Sequence, residues 1–425
     1  MAGFLGMRGT GDWATDERPL NWRQGILRLY PNGTAPLTAI LSKMGEQRVD
    51  DPRFQWWTKA LATQRATVTG VYTNATLATA LAAAGTSGQT LYVKMAEADA
   101  DQLRAGHQVL LRDASDNTVD VNAKVTTVVK NGANSYASCK LLEADDNSSN
   151  NNLTNCDTLL IIGNINPEGG AIPDAVAYDP TKYYNYTQIL RTPLEITRTA
   201  RKTRLRTADA YQEAKREALE LHSIEMEKAF LWGIRTENTG ANGKPERTTL
   251  GLIPSIRTNV PANVVDYTQD SDYSGQSWLT GGEEWLDAKL EVIFRYGSME
   301  KLAFAGSGAL LGINRLAKAG GQINMKAREV AYGIKVTEWI TPFGSIYIKT
   351  HPLFSYEVTN RNSMVIFEPK LLKYKYIDDT KFIKDQEAKG TDGSKDEYLT
   401  ECGLEYHHPS ATGYFTGLNT DNALV

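Results

Sequence analysis

The sequence predicts an α+β body interrupted by a β-rich insertion, and three stretches carry that expectation. Residues 207–232 hold neither glycine nor proline, and Tyr211, Ala214, Ala218, Leu221, Glu225 and Ala229 recur at spacings of three and four, one mostly apolar helical face. Residues 333–377 carry short apolar and alternating runs in strand period. Between them in character, and earlier in the chain, residues 67–172 shift to Thr, Val, Ala, Asn and Gly with several β-rich runs. A chain of 425 residues exceeds what one hydrophobic core usually serves, so two or three domains are expected.

Taken in order, residues 1–65 scatter Trp13, Trp22, Tyr30, Trp56 and Trp57 among glycines and prolines, with at most one short helix near 37–44. Such a segment is either a poorly ordered terminus or an arm that docks its aromatics on another subunit. On the second reading Trp13 and Trp22 are contact candidates. The following runs, LYVKM at 91–95, HQVLLRD at 107–113, VNAKVTTVVK at 121–130 and TLLIIGN at 158–164, predict a small β-barrel or sandwich over about 85–170. Asn131-Gly132 is a hairpin signal. The polar stretch at 145–155 is low-complexity loop with no assigned role.

Helical character returns after Arg206. Asp209 with Gln212 resembles a capping box, Gly233 is placed to stop the helix, and the element should span roughly 35–40 Å. A second helix is signalled by Thr280 with Glu283, a stripe through Leu286, Leu290 and Ile293, and a terminating Gly297. Strands are then expected at 333–340, 345–349, 363–368 and 372–377, with a turn at 341–344. Leu372, Tyr374 and Tyr376 alternate with Lys373 and Lys375, which predicts one buried and one wet face. Residues 378–396 read as a charged loop before a last strand near 399–406.

Composition narrows the function. Hydrophobic residues at 41% and charged residues at 23% are ordinary for a folded soluble chain. The formal net charge of -4 lacks the global positive charge that coats a phosphate backbone. Cys139, Cys156 and Cys402 are odd in number and lack Cys-x-x-Cys spacing, so neither a disulfide framework nor a zinc knuckle is signalled, and a reducing cytoplasm is the simplest home. No apolar run suits a signal peptide or reaches the ~18 residues of a membrane span. The Asn-x-Ser/Thr triplets at Asn32, Asn152 and Asn185 therefore read as chance.

Few residues suggest chemistry. In KLAFAGSGALLGINRLAK an apolar strand meets Gly306, Gly308 and Gly312, but a dinucleotide turn needs a small residue where Leu311 stands. His407, His408 and Cys402 lie close in sequence, yet successive strand residues point to opposite faces. His107, His222 and His351 are isolated, and neither Gly-x-Ser-x-Gly nor His-Glu-x-x-His occurs. No catalytic residue, cofactor or metal ligand is assigned. One stretch stands out: RTPLEITRTARKTRLR at 191–206, where Arg191, Arg198, Arg201, Lys202, Arg204 and Arg206 face only Glu195. It reads as a solvated strand and linker, or as a strip that pairs with carboxylates of a neighbouring subunit or with DNA phosphates.

The segments YNYTQILRTPLEITRTARKT at 184–203, EALELHSIEMEKAFLWG at 217–233, TLGLIPSIRTNV at 249–260 and WITPFGSIYIKTHPLF at 339–354 resemble the major capsid protein of tailed bacteriophages. The implied fold is the Hong Kong ninety-seven type, and the likeness is to the SU-ten-like major head protein group, over most of 175–415. By segment it implies an N-terminal arm at 1–65 and an extended loop at 66–190 carrying the β insertion. A basic strand and spine helix of the peripheral domain follow at 191–250, with the axial domain and the rest of the peripheral domain at 251–425. It further implies a non-enzymatic subunit that self-assembles through pentamers and hexamers into an icosahedral head. That head would enclose double-stranded DNA without sequence-specific binding. Implied partners are a separate scaffolding protein, portal and decoration proteins; no membrane is involved. The implied location is the virion, after synthesis in the host bacterial cytoplasm. A mildly acidic subunit suits such a container, because a strongly cationic wall would retain the genome. The excursion departs from the pattern, being much longer than a hairpin, and no lysine–asparagine crosslinking pair is assignable. A tail or baseplate protein is the competing structural class, and a dinucleotide-binding enzyme survives only through the glycine turn.

Overall fold

The computed structural model describes residues 46–59, 64–116, 119–145, 152–170, 172–203, 209–320, 325–329 and 335–424. Trp13, Trp22, the helix expected near 37–44, Arg204 and Arg206 fall outside these residues. The chain divides into two units, Lys59–Thr181 and the remainder.

The first unit is a closed six-stranded barrel. Its order is Arg65–Tyr72, Thr90–Met95, Ser135–Leu141, Asp120–Val129, His107–Arg112, Thr158–Asn164, with antiparallel neighbours throughout. Leu91, Val93 and Met95 alternate inward with Tyr92 and Lys94, and Val109, Leu111, Val121, Ala123, Val125 and Leu159 do the same, so side chains fill the interior. The runs expected at 91–95, 107–113, 121–130 and 158–164 are all strands. The expected boundary near 85 is too late, because Arg65–Tyr72 pairs with both Thr90–Met95 and Thr158–Asn164 and closes the barrel. The hairpin at Asn131-Gly132 joins the expected strand to Ser135–Leu141, but through a longer link that includes the 3-10 turn Gly132–Asn134.

In the second unit a four-stranded sheet runs Glu46–Arg48, Leu372–Ile383, Gly393–Tyr406, Gln188–Thr197. Pro193 is tolerated because its strand is at the edge. A seven-stranded mixed sheet runs Val264–Asp266, Gly413–Thr416, Met364–Phe367, Glu300–Ala305, Gly344–Thr350, Lys335–Thr341, Met325–Glu329. Its strand Met364–Phe367 is apolar at every position because both faces are covered. Leu302, Phe304, Val365 and Phe367 enter the core shared with the long helix and the four-stranded sheet. Ala303, Ala305, Met364 and Ile366 enter a second core under helices Trp278–Phe294 and Ser307–Gly320.

The long helix is Ala210–Trp232, and the Asp209 side chain caps it by accepting from the Tyr211 N–H. Its buried face is Ala218, His222, Met226, Glu227, Phe230 and Leu231, whereas Leu221 is 56% exposed. The expected stripe was rotated because two of the buried residues are polar. Gly233 ends the helix with φ −57°, so left-handedness is not its role. A Cβ there would stand 2.4 Å from the Ala229 carbonyl oxygen and 2.6 Å from that of Thr249. The second helix starts at Trp278, before the expected cap at Thr280, with Leu286, Leu290 and Ile293 buried as predicted. Gly281 and Gly282 lie in its first turn, where Tyr267 and the Trp278 ring leave no room for a Cβ.

Two charged features also differ from expectation. Residues 378–396 are largely strand, since the hairpin extends to Ile383 and resumes at Gly393. Its charges are compatible with strand because the outer ones are solvated and the buried ones are partnered, Asp396 by the Tyr211 hydroxyl and the Asp385 N–H and Glu397 by Arg191. Lys375 is buried rather than wet: its ammonium lies 2.8 Å from the Glu405 carboxylate and also meets Gln47, on the strand that covers this side. Among the described residues no helix is long and apolar enough to cross a membrane.

Candidate functional site

The glycine turn is a packing device. Gly308 N–H and Ala309 N–H both donate to the Arg361 carbonyl at 3.1 Å, Gly306 N–H donates to Ser363 O at 3.0 Å, and Ser307 N–H to Ser355 Oγ at 3.2 Å. The donors that a phosphate would use at a helix start are thus already engaged. A Cβ at Gly306 would stand 2.2 Å from Arg361 O, at Gly308 2.0 Å from Asn362 Oδ1, and at Gly312 2.6 Å from Asn419 Cβ. The glycines let the 361–363 and 419 segments cross the helix.

The histidines serve the framework. His222 Nδ1 lies 2.9 Å from Thr192 Oγ1 and Nε2 2.7 Å from Thr400 Oγ1, and burial lowers its pKa. His351 Nδ1 accepts from Leu353 N–H at 3.1 Å, so the proton sits on Nε2 and is donated to Glu227 Oε1 at 2.8 Å. Both members of that pair are fully buried. His407 binds Glu405 at 2.6 Å, while Cys402 is buried and its thiol is pushed up to about 12, chiefly by desolvation. Among the described residues no group of three or more His, Cys, Asp or Glu is placed to hold a metal ion.

The basic strip meets carboxylates of its own chain. Gln188–Thr197 pairs antiparallel with Gly393–Tyr406, so the arginines lie against the acidic residues of the hairpin. Arg191 forms a two-pronged contact with Glu397 at 2.8 and 2.6 Å. Arg198, opening the short helix Arg198–Lys202, reaches Asp392 at 2.6 Å. Arg201 donates to Ser394 Oγ at 3.1 Å and lies 4.7 Å from the Tyr211 ring centroid. Lys202 is exposed beside it.

A face absent from the sequence expectations lies on the strand pair Arg53–Thr58 and Thr181–Tyr186. The alternation in RFQWWT sends Phe54 and Trp56 into the core and leaves Arg53, Gln55 and Trp57 outside. Trp56, grouped with the arm by its sequence position, is therefore a core residue at 5% exposure, while Trp57 is 60% exposed. Arg53 and Arg235 both stack on Tyr184, at 4.3 and 3.9 Å from its centroid, and Lys182 lies 5.6 Å from that of Trp57. The alternating signal was present but masked by the irregular residues before it.

Among the described residues the cores are filled, the histidines are engaged in framework contacts and cations are displayed on strand surfaces. The chain belongs to the SU10 major capsid protein family, whose model matches residues 8–419. It is a phage major capsid protein, a structural component of the virion shell. It is similar to the major capsid protein of Pseudomonas phage PaMx41, 25% identical over 361 residues that cover 83% of this chain and 77% of that one. Among solved structures, a chain of Microbacterium phage Oxtober96 is 8% identical with a TM-score of 0.43, covering 94% of this chain and 95% of that one. A capsid chain of a native GTA particle is 10% identical with a TM-score of 0.38, covering 95% and 96%.

Proposed function

We propose that the chain assembles through pentamers and hexamers into an icosahedral head that encloses double-stranded DNA without reading its sequence. Assembly uses a separate scaffolding protein, and portal and decoration proteins complete the particle; synthesis is in the host bacterial cytoplasm. The role is non-enzymatic. In this reading 1–65 is the arm, with its strands Glu46–Arg48 and Arg53–Thr58 joined to the body, and 66–190 the extended loop, whose barrel ends before strand Thr181–Tyr186; 191–250 is the basic strand and spine helix, and 251–425 the axial domain and remaining peripheral domain. The observation that carries it is the family match, which spans 8–419 and so takes in arm, barrel and body together.

Within that assembly Trp13, Trp22, Arg198, Arg201, Lys202, Arg204 and Arg206 contact neighbouring subunits. The Arg198–Asp392 pair is exposed on both sides, and such pairs contribute only about 0–1 kcal/mol to a folded chain. Reversal at Arg201 or Arg204 should therefore block assembly while the monomer stays folded. Electron microscopy and sedimentation of the purified full chain test the whole reading. Closed shells or five- and six-membered rings support it, tubes favour a tail protein, and a stable monomer overturns it.

A further inference from the structure

Arg53, Arg235 and Lys182 have no carboxylate partner among the described residues, and they crowd one small face. Arg53 and Arg235 sandwich onto Tyr184, Arg235 Nη1 also donates to the Tyr184 carbonyl at 2.8 Å, and Lys182 sits by exposed Trp57. The carboxylates nearby are committed: Asp51 accepts from the Arg53 backbone N–H at 2.7 Å, and Glu237 pairs with Arg247 at 3.2 Å. On the same unit Arg191 and Arg295 are matched by carboxylates of their own chain, while Arg201 and Arg315 are met only by neutral groups. Exposed Trp57 and Arg53 beside half-buried Tyr184 and Arg235 have the composition of interface hot spots, where rigid aromatic area sits beside a planar cation.

The same unit carries the complementary surface. On helix Trp278–Phe294, Leu279, Glu283 and Asp287 follow one another at intervals of four and so form one outer ridge. Leu279 is 56% exposed, Glu283 and Glu284 are exposed, and none of these carboxylates has a cation partner among the described residues. Burial, and after it the Glu283 charge, pushes the Asp287 carboxyl above its usual range. A folded monomer gains nothing from such an arrangement.

We propose that the face around Tyr184 in one copy receives the Leu279–Glu283–Asp287 ridge of another copy, Leu279 against Trp57 and the carboxylates against Arg53, Arg235 and Lys182. The proposal rests on the reading that the chain assembles with copies of itself. Different patches meet, so the contact is heterologous and propagates around a ring or lattice. Nucleic acid is the weaker occupant, because a duplex backbone offers phosphates to the cations but no apolar group to Trp57.

The test uses the full chain with reciprocal charge reversal, read by particle yield in sedimentation and electron microscopy, with unfolding curves to establish that each variant folds. Arg53→Glu with Arg235→Glu should lower yield by roughly tenfold or more, as should Glu283→Lys with Asp287→Lys, since a broken desolvated charge pair costs more than a decade. The chain carrying all four reversals should regain most of the wild-type yield. Arg53→Gln with Arg235→Gln, a gentler change, should give an intermediate loss. Normal yield from either reversed pair, or no recovery in the four-fold variant, overturns the contact. So does normal assembly accompanied by loss of packaged DNA, which would assign the face to nucleic acid. Failure of the wild-type chain itself to assemble strikes the proposed function instead.

Discussion

Replacing Asn185 should weaken the body more than any surface change. Its side chain is fully buried and saturated. Nδ2 donates to Thr249 Oγ1 at 3.1 Å, Leu250 O at 3.2 Å and Leu404 O at 2.8 Å, while Oδ1 accepts from Tyr186 N–H and Leu250 N–H, both at 2.8 Å. One amide thus ties strand Thr181–Tyr186 to the 249–250 segment and to strand Gly393–Tyr406. Asn185→Ala takes the side-chain acceptor from two N–H groups, that of Leu250 buried and that of Tyr186 partly so. At about 1–3 kcal/mol for each buried unsatisfied group, the loss is about 2–5 kcal/mol. For a unit of about 300 residues that lowers the melting temperature by roughly 3–8 °C. Asn185→Asp keeps both acceptors but sets a carboxylate against the Leu250 and Leu404 carbonyls. The introduced carboxyl has its folded pKa raised above the unfolded value, so stability should fall at neutral pH and recover as pH drops through that raised value. Urea and thermal unfolding at pH 5 and pH 8 measure both effects. If Asn185→Ala stays within about 1 kcal/mol of wild type, or Asn185→Asp shows no recovery in acid, these hydrogen bonds do not hold the strands as argued. The same geometry explains why the Asn185 triplet is no glycan acceptor: neither end of the amide is accessible.

Cys139, Cys156 and Cys402 all have thiols pushed up to about 12 by burial, so at pH 8 only about one in ten thousand is thiolate. Alkylation should label none of the three in the folded chain and all three in denaturant; fast labelling of one under native conditions refutes its burial. Gly306→Ala should destabilise by about 1–3 kcal/mol through the clash with the Arg361 carbonyl. Calorimetry of the wild-type chain with dinucleotides should show no saturable heat, and a micromolar affinity would reopen the enzymatic reading. Residues 59–181 expressed alone should give a dispersed β-type amide spectrum, whereas 85–170 should not, because it lacks the strand that closes the barrel; the reverse result would misplace the boundary.

Legibility followed the simplicity of the environment. The barrel runs were readable because alternate residues meet either a packed interior or water, and Leu286, Leu290 and Ile293 were readable because a pure apolar stripe faces one core. Positions whose burial depends on a distant partner were not. Lys375 looks solvated until Glu405 and Gln47 are brought to it, and Trp56 looks like part of an irregular arm until its strand joins the body. The basic strip was legible as charge, but its neighbours at 392–397 lie about two hundred positions away, beyond any local pattern. The cation–aromatic face joins residues 53, 182, 184 and 235 for the same reason, and only Trp57 carried a local hint.

The two polar residues that disguised the long helix also fix its placement. Apolar packing alone is non-directional and would tolerate some rotation of a helix wedged between two sheets. His222 satisfies Thr192 and Thr400 on the four-stranded sheet, and Glu227 accepts from His351, which follows directly on a strand of the seven-stranded sheet. Sliding the sequence by one residue turns the helix face by about 100° and breaks both links at once. Losing a buried hydrogen bond to a carboxylate costs about 1.5–3 kcal/mol, more than a small rotation of apolar side chains would. A subunit that repeats the same contacts around a closed shell multiplies any error in the angle between its parts. Directional ties from one helix to both sheets restrict that angle within each copy, before any copy meets another.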